Sequence, residues 1–525
     1  MAAIRVAPAA AAWPAQRVLA WVAALVLVLA SALPLWVAYH QADTPLNDDS
    51  YITLTYAKNV ARGRGFVFNQ PPPTFGTTTP LFTLAVAGLA RLAPAADLPA
   101  VAVWLSAACW LAIVWTFFLA RASFGLAAWQ AAVVGLLVLA SGWVHLLGME
   151  AYLFASLLVV SLALFWRGRY ALSGLACGLL FLARGEGALV AALLGGAALL
   201  QAWQARRAGQ PPAARLLRPA VAIALGFALP VAAWSLYATA VFGSPLPNTL
   251  GAKIAQLNAD IRNTMLERLV NDWGPVWGSL FAVPGLPLLN VWWWLAGLGF
   301  IYALLRRRRW LLFYLWVAAY VTGHTLLNIA AYGWYAQPII FVLQLSVALG
   351  LIAVIEFLLA RPRLPRPLAA AAGVALVAYV AGTLALARVD FVVNDPGDAR
   401  AAQYQALASW LRAYSEPAER VAFAEVGYLG YFSDNGIADL MGLVTPAAVP
   451  YVARQDYAWL FWETRPEYLV YQEPFDWALG AIRADPRFAA EYAPVATFDA
   501  PGREPLILYR RTRVPAGSSQ LLYHR

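Results

Sequence analysis

Two adjacent carboxylates, Asp48 and Asp49, head the segment NDDSYITLTYAKNVARGRGFVFN at 47–69. Asn47 and Asp48 are good N-caps, Ile52, Tyr56, Asn59 and Val60 recur at helical spacing, and Gly63 stands where the last turn must stop. The pair therefore sits at the amino end of a short helix. Neighbouring positions on a helix point about 100° apart, so the two carboxylates cannot share one task. One is suited to take a proton from a reacting hydroxyl while the other binds a cation or an acceptor group. Capping and the helix dipole account for one carboxylate, worth about 1 kcal/mol. They account for neither the second nor the basic flank Lys58, Arg62 and Arg64.

What positions this pair follows from composition. Of 525 residues, 62% are hydrophobic and 12% charged, against about 25% charged in a soluble domain. That excess excludes a soluble enzyme, and with two cysteines it excludes a disulfide scaffold as well. The net charge of +10 comes from Lys and Arg at the ends of apolar runs and in the tail, a topology signal that leaves no nucleic-acid surface. Residues 18–38 form an uncharged run long enough to cross about 30 Å of hydrocarbon. Further runs lie near 100–120, 127–147, 151–166, 170–183, 188–204, 219–241, 289–305, 310–330, 336–360 and 367–388. The basic clusters at Arg121, Arg167, Arg206–Arg218, Arg306–Arg309 and Arg361–Arg366 fall on one side if the first run exits outward. The expected fold is an all-α polytopic bundle of about eleven transmembrane helices in the plasma membrane, amino terminus cytoplasmic. Residues 1–389 form that unit, with a first external loop at 39–99.

Acidic residues mark the working face. Before residue 390 there are ten, and all but Glu356 sit at or beyond the outer ends of spans. Residues 390–525 hold the other 17 of 27, with short apolar runs such as RVAFAEVGYLGYF, EYLVYQE and PLILYRR between helical stretches. They read as an extracytoplasmic α/β domain. Cys109 and Cys177 fall within spans as packing residues, and the histidines show no paired spacing for zinc. The aromatics Trp292–Trp294, Tyr332, Trp334 and Tyr335 read mostly as an interfacial belt.

Six segments in order carry a resemblance. The Asp-Asp loop ending in Gly-x-Gly-x-Val-Phe-Asn, then GTTTPLF at 76–82, GMEAYLFA at 148–155, LARGEGAL at 182–189, GSPLPNTLGAK at 243–253 and GYLGYFSDNGIADLMGLVTP at 427–446 follow one another. Together they resemble the GT-C membrane glycosyltransferases, more narrowly the mycobacterial terminal arabinofuranosyltransferase group. Asn69-Gln70-Pro71-Pro72 departs from that pattern's Asn-Pro-Gly-Glu, Gly185 stands where Pro is usual, and Thr55 where Arg is common. The resemblance implies transfer of a sugar from a polyprenyl-phosphate donor to a cell-envelope glycan, lipid or protein acceptor at the outer face. It implies Asp48 as general base, with Asp49 on a second acceptor hydroxyl or a divalent cation. Lys58, Arg62, Arg184 and Lys253 are then candidates for the donor phosphate, and Glu150, Glu186 and Asn248 for substrate contact. No cofactor is called for beyond that cation, which stays open. The rival reading, a transporter or flippase of lipid-linked sugars, would place ionisable groups inside the bundle and repeat its two halves; neither feature is seen.

Overall fold

The computed structural model describes residues 14–68, 73–208, 213–258, 263–272 and 289–512. The 69–72 turn and much of the loop 242–288 lie outside the described residues.

Helices build the first four hundred residues: α1 (Pro14–Ala30), α2 (Ala32–Gln41), α3 (Asp48–Ala61), α4 (Pro80–Leu92), α5 (Leu98–Leu119), α6 (Ala128–Ala140), α7 (Ala151–Trp166), α8 (Tyr170–Ala183), α9 (Gly187–Arg207), α10 (Ala213–Phe242), α11 (Asn248–Asn258), α12 (Leu289–Arg306), α13 (Leu311–Leu326), α14 (Gln337–Leu359) and α15 (Arg366–Asn394). Among the described residues, six helical stretches are long and apolar enough to cross a membrane: Arg17–Gln41, Leu98–Leu119, Gly187–Arg207, Leu216–Phe242, Gly333–Leu359 and Arg366–Asn394. The coarse expectation of a helical membrane bundle holds. Four further apolar helices, α4, α6, α7 and α8, have 13 to 16 residues. At about 1.5 Å per residue they reach roughly 20–24 Å, short of about 30 Å of hydrocarbon.

Small residues let helices meet where no hydrophobic gain separates protein from lipid. A Cβ on Gly299 of α12 would lie 1.8 Å from the Ser346 carbonyl oxygen of α14, and one on Gly350 would lie 2.1 Å from that of Leu295. These two backbones therefore touch. Large side chains fill the space elsewhere: Trp110, Trp310 and Trp316 are fully buried, and the Trp110 indole N–H donates to the Val138 carbonyl at 2.9 Å. Glu356, the acidic residue set apart from the others by sequence, accepts from Gln130 at 2.6 Å, Tyr302 at 2.8 Å and Arg307 at 3.1 Å. A charge on an apolar helix is thus fully paired.

The C-terminal domain follows α15. Its sheet has the order β2-β1-β3-β5-β4, from β1 (Arg420–Phe423), β2 (Gly436–Asp439), β3 (Tyr468–Tyr471), β4 (Tyr492–Phe498) and β5 (Leu506–Arg511). β1 pairs parallel with β2 and β3, whereas β5 runs antiparallel to β3 and β4. β3 is buried along its whole length, as a strand covered on both faces must be. Pro494, which has no N–H to give a ladder, sits on edge strand β4 beside an irregularity. Helices α16 (Ala401–Tyr414) and α17 (Gly427–Phe432) flank β1.

The domain is seated on the loop between α2 and α3. Asp398 N–H donates to the Pro45 carbonyl at 3.1 Å and the Tyr428 hydroxyl to the Leu46 carbonyl at 2.5 Å. Tyr51 packs its ring on those of Tyr428, Tyr431 and Phe432 at 4.4 to 5.2 Å.

Candidate active site

α3 begins as its residues dictate. Asn47 caps it, its side-chain oxygen accepting from the Ser50 N–H at 3.0 Å, and Gly63 takes φ +75° beyond the last turn. Asp48 and Asp49 fill the first turn. Asp48 is buried; its carboxylate accepts from the backbone N–H groups of Gly427 and Tyr428 at 2.9 and 2.8 Å. The first N–H groups of a helix lack partners within it, and here the carboxylate of a residue nearly four hundred positions away satisfies them. Only glycine allows this approach, since a Cβ at 427 would lie 1.8 Å from the Asp48 carbonyl oxygen. Burial, then the charge of nearby Glu425, push the Asp48 carboxyl up to about 7, while the Tyr428 N–H works in the other direction.

Both residues line a cavity of about 140 Å³ at the seam between bundle and C-terminal domain. A single water needs about 10–15 Å³ measured this way, so the space suits a ring-sized polar ligand. Six regions of the chain enclose it. α3 contributes Asp48, Asp49, Ile52 and Thr53; the loop before α4 gives Gly76 to Thr79; Met149 and Glu150 precede α7. α11 adds Thr249, Lys253 and Gln256, and the segment before α14 adds Tyr332 and Trp334. From the C-terminal domain come Arg400, Glu425, Met441 and Leu443. The last three follow the carboxyl ends of parallel strands β1 and β2, where open α/β sheets place their ligands.

The cations divide sharply. Arg400 is spent on carboxylates: it donates to Asp398 at 2.5 to 3.1 Å and also to Glu425, whose other oxygen accepts from the Tyr404 hydroxyl. Lys253 is half-buried, its ammonium donates to the Tyr335 hydroxyl at 2.7 Å, and the charge of Asp49 acts on it. Behind Glu150 stands Arg184, bonded to Glu150 at 3.1 Å and to Glu186 at 2.9 Å, with His324 Nε2 3.6 Å from Glu186.

Of the residues singled out by sequence, Asp48, Asp49, Glu150 and Lys253 line the cavity; Arg184 and Glu186 stand behind Glu150. Three lie elsewhere. Lys58 donates to the Tyr431 carbonyl and covers that ring at 4.9 Å; burial, then Arg62, draw its ammonium down to about 8. Arg62 caps the exposed end of α3. Asn248 donates to the Gly442 and Leu443 carbonyls at 2.6 and 3.1 Å, tying α11 to the turn after β2. That turn is itself held by Asp439, which accepts from the Met441 and Val444 N–H groups at 2.8 and 2.7 Å. Sequence reasoning missed Arg400, Glu425 and Gln256, which lie in stretches without a motif. Among the described residues, no three His, Cys, Asp or Glu side chains converge as a metal site.

A family model described as a domain of unknown function (DUF8728) matches residues 392–523, the C-terminal quarter of the chain. No curated protein matches it.

Proposed function

We propose that this protein is a GT-C-type membrane glycosyltransferase that moves a sugar from a polyprenyl-phosphate donor to a cell-envelope glycan, lipid or protein acceptor. In this reading about eleven apolar helices enter the plasma membrane, the short α6, α7 and α8 among them, the amino terminus is cytoplasmic, and cavity and C-terminal domain face outward. The observation that carries it is the shared cavity, which the residues Asp48, Asp49, Glu150 and Lys253 line together.

Each group has a task in the reaction. Asp48 takes the proton of the acceptor hydroxyl, whose oxygen attacks the anomeric carbon as the bond from that carbon to the phosphate oxygen breaks. The electron pair of the broken bond stays on the phosphate, and Lys253 neutralises the charge that develops there. A carboxyl held near 7 is matched to this work, because it is available as a base near neutral pH and is a stronger base than an ordinary aspartate. Asp49 holds a second hydroxyl of the acceptor. Glu150, fixed by Arg184, contacts the sugar. The segments that carry the family resemblance, far apart in sequence, meet around this space, which supports the same reading.

The test is transfer in nanodiscs by purified full-length protein, offered radiolabelled polyprenyl-phosphate pentoses and hexoses with mixed envelope glycans. Transfer from one donor, lost in Asp48→Asn, bears the proposal out. Binding of lipid-linked sugar with no transfer to any acceptor would overturn it and favour a transporter.

A further inference from the structure

The cavity has two unlike walls. One is polar, with Asp49, Thr53, Thr77 and Thr79. Also lining the cavity, from the segment before α14, are Tyr332 and Trp334, their rings stacked with centroids 4.9 Å apart and planes 19° from parallel. This aromatic wall is fixed in place. The Tyr332 hydroxyl donates to the Gln256 side chain, the Tyr320 hydroxyl to the Tyr335 carbonyl at 2.9 Å, and Ala331 N–H to the Asn263 carbonyl at 3.0 Å. The Lys253 ammonium lies 5.3 Å from the centre of the Tyr332 ring and 5.2 Å from that of Tyr335. The negative ring faces hold this cation where an anion can reach it.

We propose that Trp334, backed by the stacked Tyr332 ring, forms the sugar-recognition wall of the donor subsite, against which a lipid-linked sugar lays its C–H face while its phosphate meets Lys253. This rests on the transferase reading and adds to it the residues that select the sugar. A sugar ring is amphipathic, apolar across its C–H face and polar around its hydroxyl rim, and this cavity is divided in the same way. Arg400 is already held by Asp398 and Glu425, so among the described residues that line the cavity Lys253 is the cation left for an anion, and it borders the aromatic wall. The ligand is thereby ordered: phosphate on Lys253, ring on Trp334, and the anomeric carbon toward Asp48.

The experiment is equilibrium binding to full-length protein in nanodiscs, with citronellyl phosphate alone and the same lipid carrying an arabinofuranosyl or a mannosyl group. At least one sugar-bearing lipid binds more tightly than the bare phosphate. Trp334→Ala weakens that lipid by about fivefold to tenfold and leaves citronellyl phosphate unchanged, as loss of an aromatic contact requires. Trp334→Phe, which keeps a ring, retains most of the preference, and Lys253→Met weakens both ligands. Equal weakening of both ligands by Trp334→Ala, or no weakening of the sugar-bearing one, would overturn the inference. Because binding is read without turnover, failure of transfer alone would defeat the transferase reading and leave this subsite standing.

Discussion

The Asp48 carboxylate and the Gly427 N–H meet at 2.9 Å across the seam between the helical bundle and the C-terminal domain. The residue best placed to act as a base is therefore also one of those that seat the domain. Hydrogen bonds to a charged group contribute about 1.5–3 kcal/mol each when buried, so the two from Gly427 and Tyr428 outweigh an ordinary cap.

Gly427→Ala tests that seating. Its methyl carbon would need the space of the Asp48 carbonyl oxygen, 1.8 Å away, with the Asp48 carbonyl carbon at 2.6 Å, backbone that cannot swing aside. The C-terminal domain should lift from the loop, read as faster cleavage near 395–400 by added protease and loss of transfer, with the bundle intact. Cleavage at the wild-type rate would show that the contact does not hold the domain.

The pH dependence has a worked sign. Asp48 titrates near 7 in the folded protein against an ordinary 3.8, raised first by burial and then by Glu425. As a base it must be ionised, so kcat/KM should fall below about pH 7, approaching tenfold per unit. Stability runs the other way. The folded state binds this proton more tightly, so the contribution is fully present below the unfolded value and is lost as pH rises through about 7. A pH–rate profile that is flat between about 5 and 8 would contradict the assignment.

Arg184→Met should be costly without touching the cavity directly. It leaves Glu150 and Glu186 buried with their shared cation gone, a change that typically destabilises by about 3–5 kcal/mol. The melting temperature should drop sharply and recover in part when Glu186→Gln is added. An unchanged melting temperature would mean that the ion-pair cluster carries little of the stability.

Some of this was legible in the sequence because the signals are local. Asn47, the acidic first turn and Gly63 delimit α3 within a residue or two. The runs at 420–423, 468–471 and 506–511 are strands as their alternation and apolar content suggest. GYLGYF, apolar enough for a strand, is instead the helix α17, because the Asp48 carboxylate satisfies its first N–H groups from a distant loop. The resemblance makes Lys58 a candidate phosphate ligand, whereas in the fold its ammonium donates to the Tyr431 carbonyl of the docked domain. Arg400 and Glu425 belong to the cavity through contacts spanning some 350 residues, which no local pattern encodes. Tyr332 and Trp334 were indistinguishable from membrane-interface aromatics until the fold turned their segment onto the cavity.

The central claim is that Asp48 performs the proton transfer of a sugar-transfer reaction. The most direct measurement compares single-turnover transfer from a polyprenyl-phosphate sugar by wild type and Asp48→Asn in nanodiscs, with donor binding measured on the same samples. The account predicts donor binding within about threefold of wild type and a transfer rate lower by roughly 10²–10⁴, the range of general-base catalysis. Transfer by the variant at a near wild-type rate would contradict it.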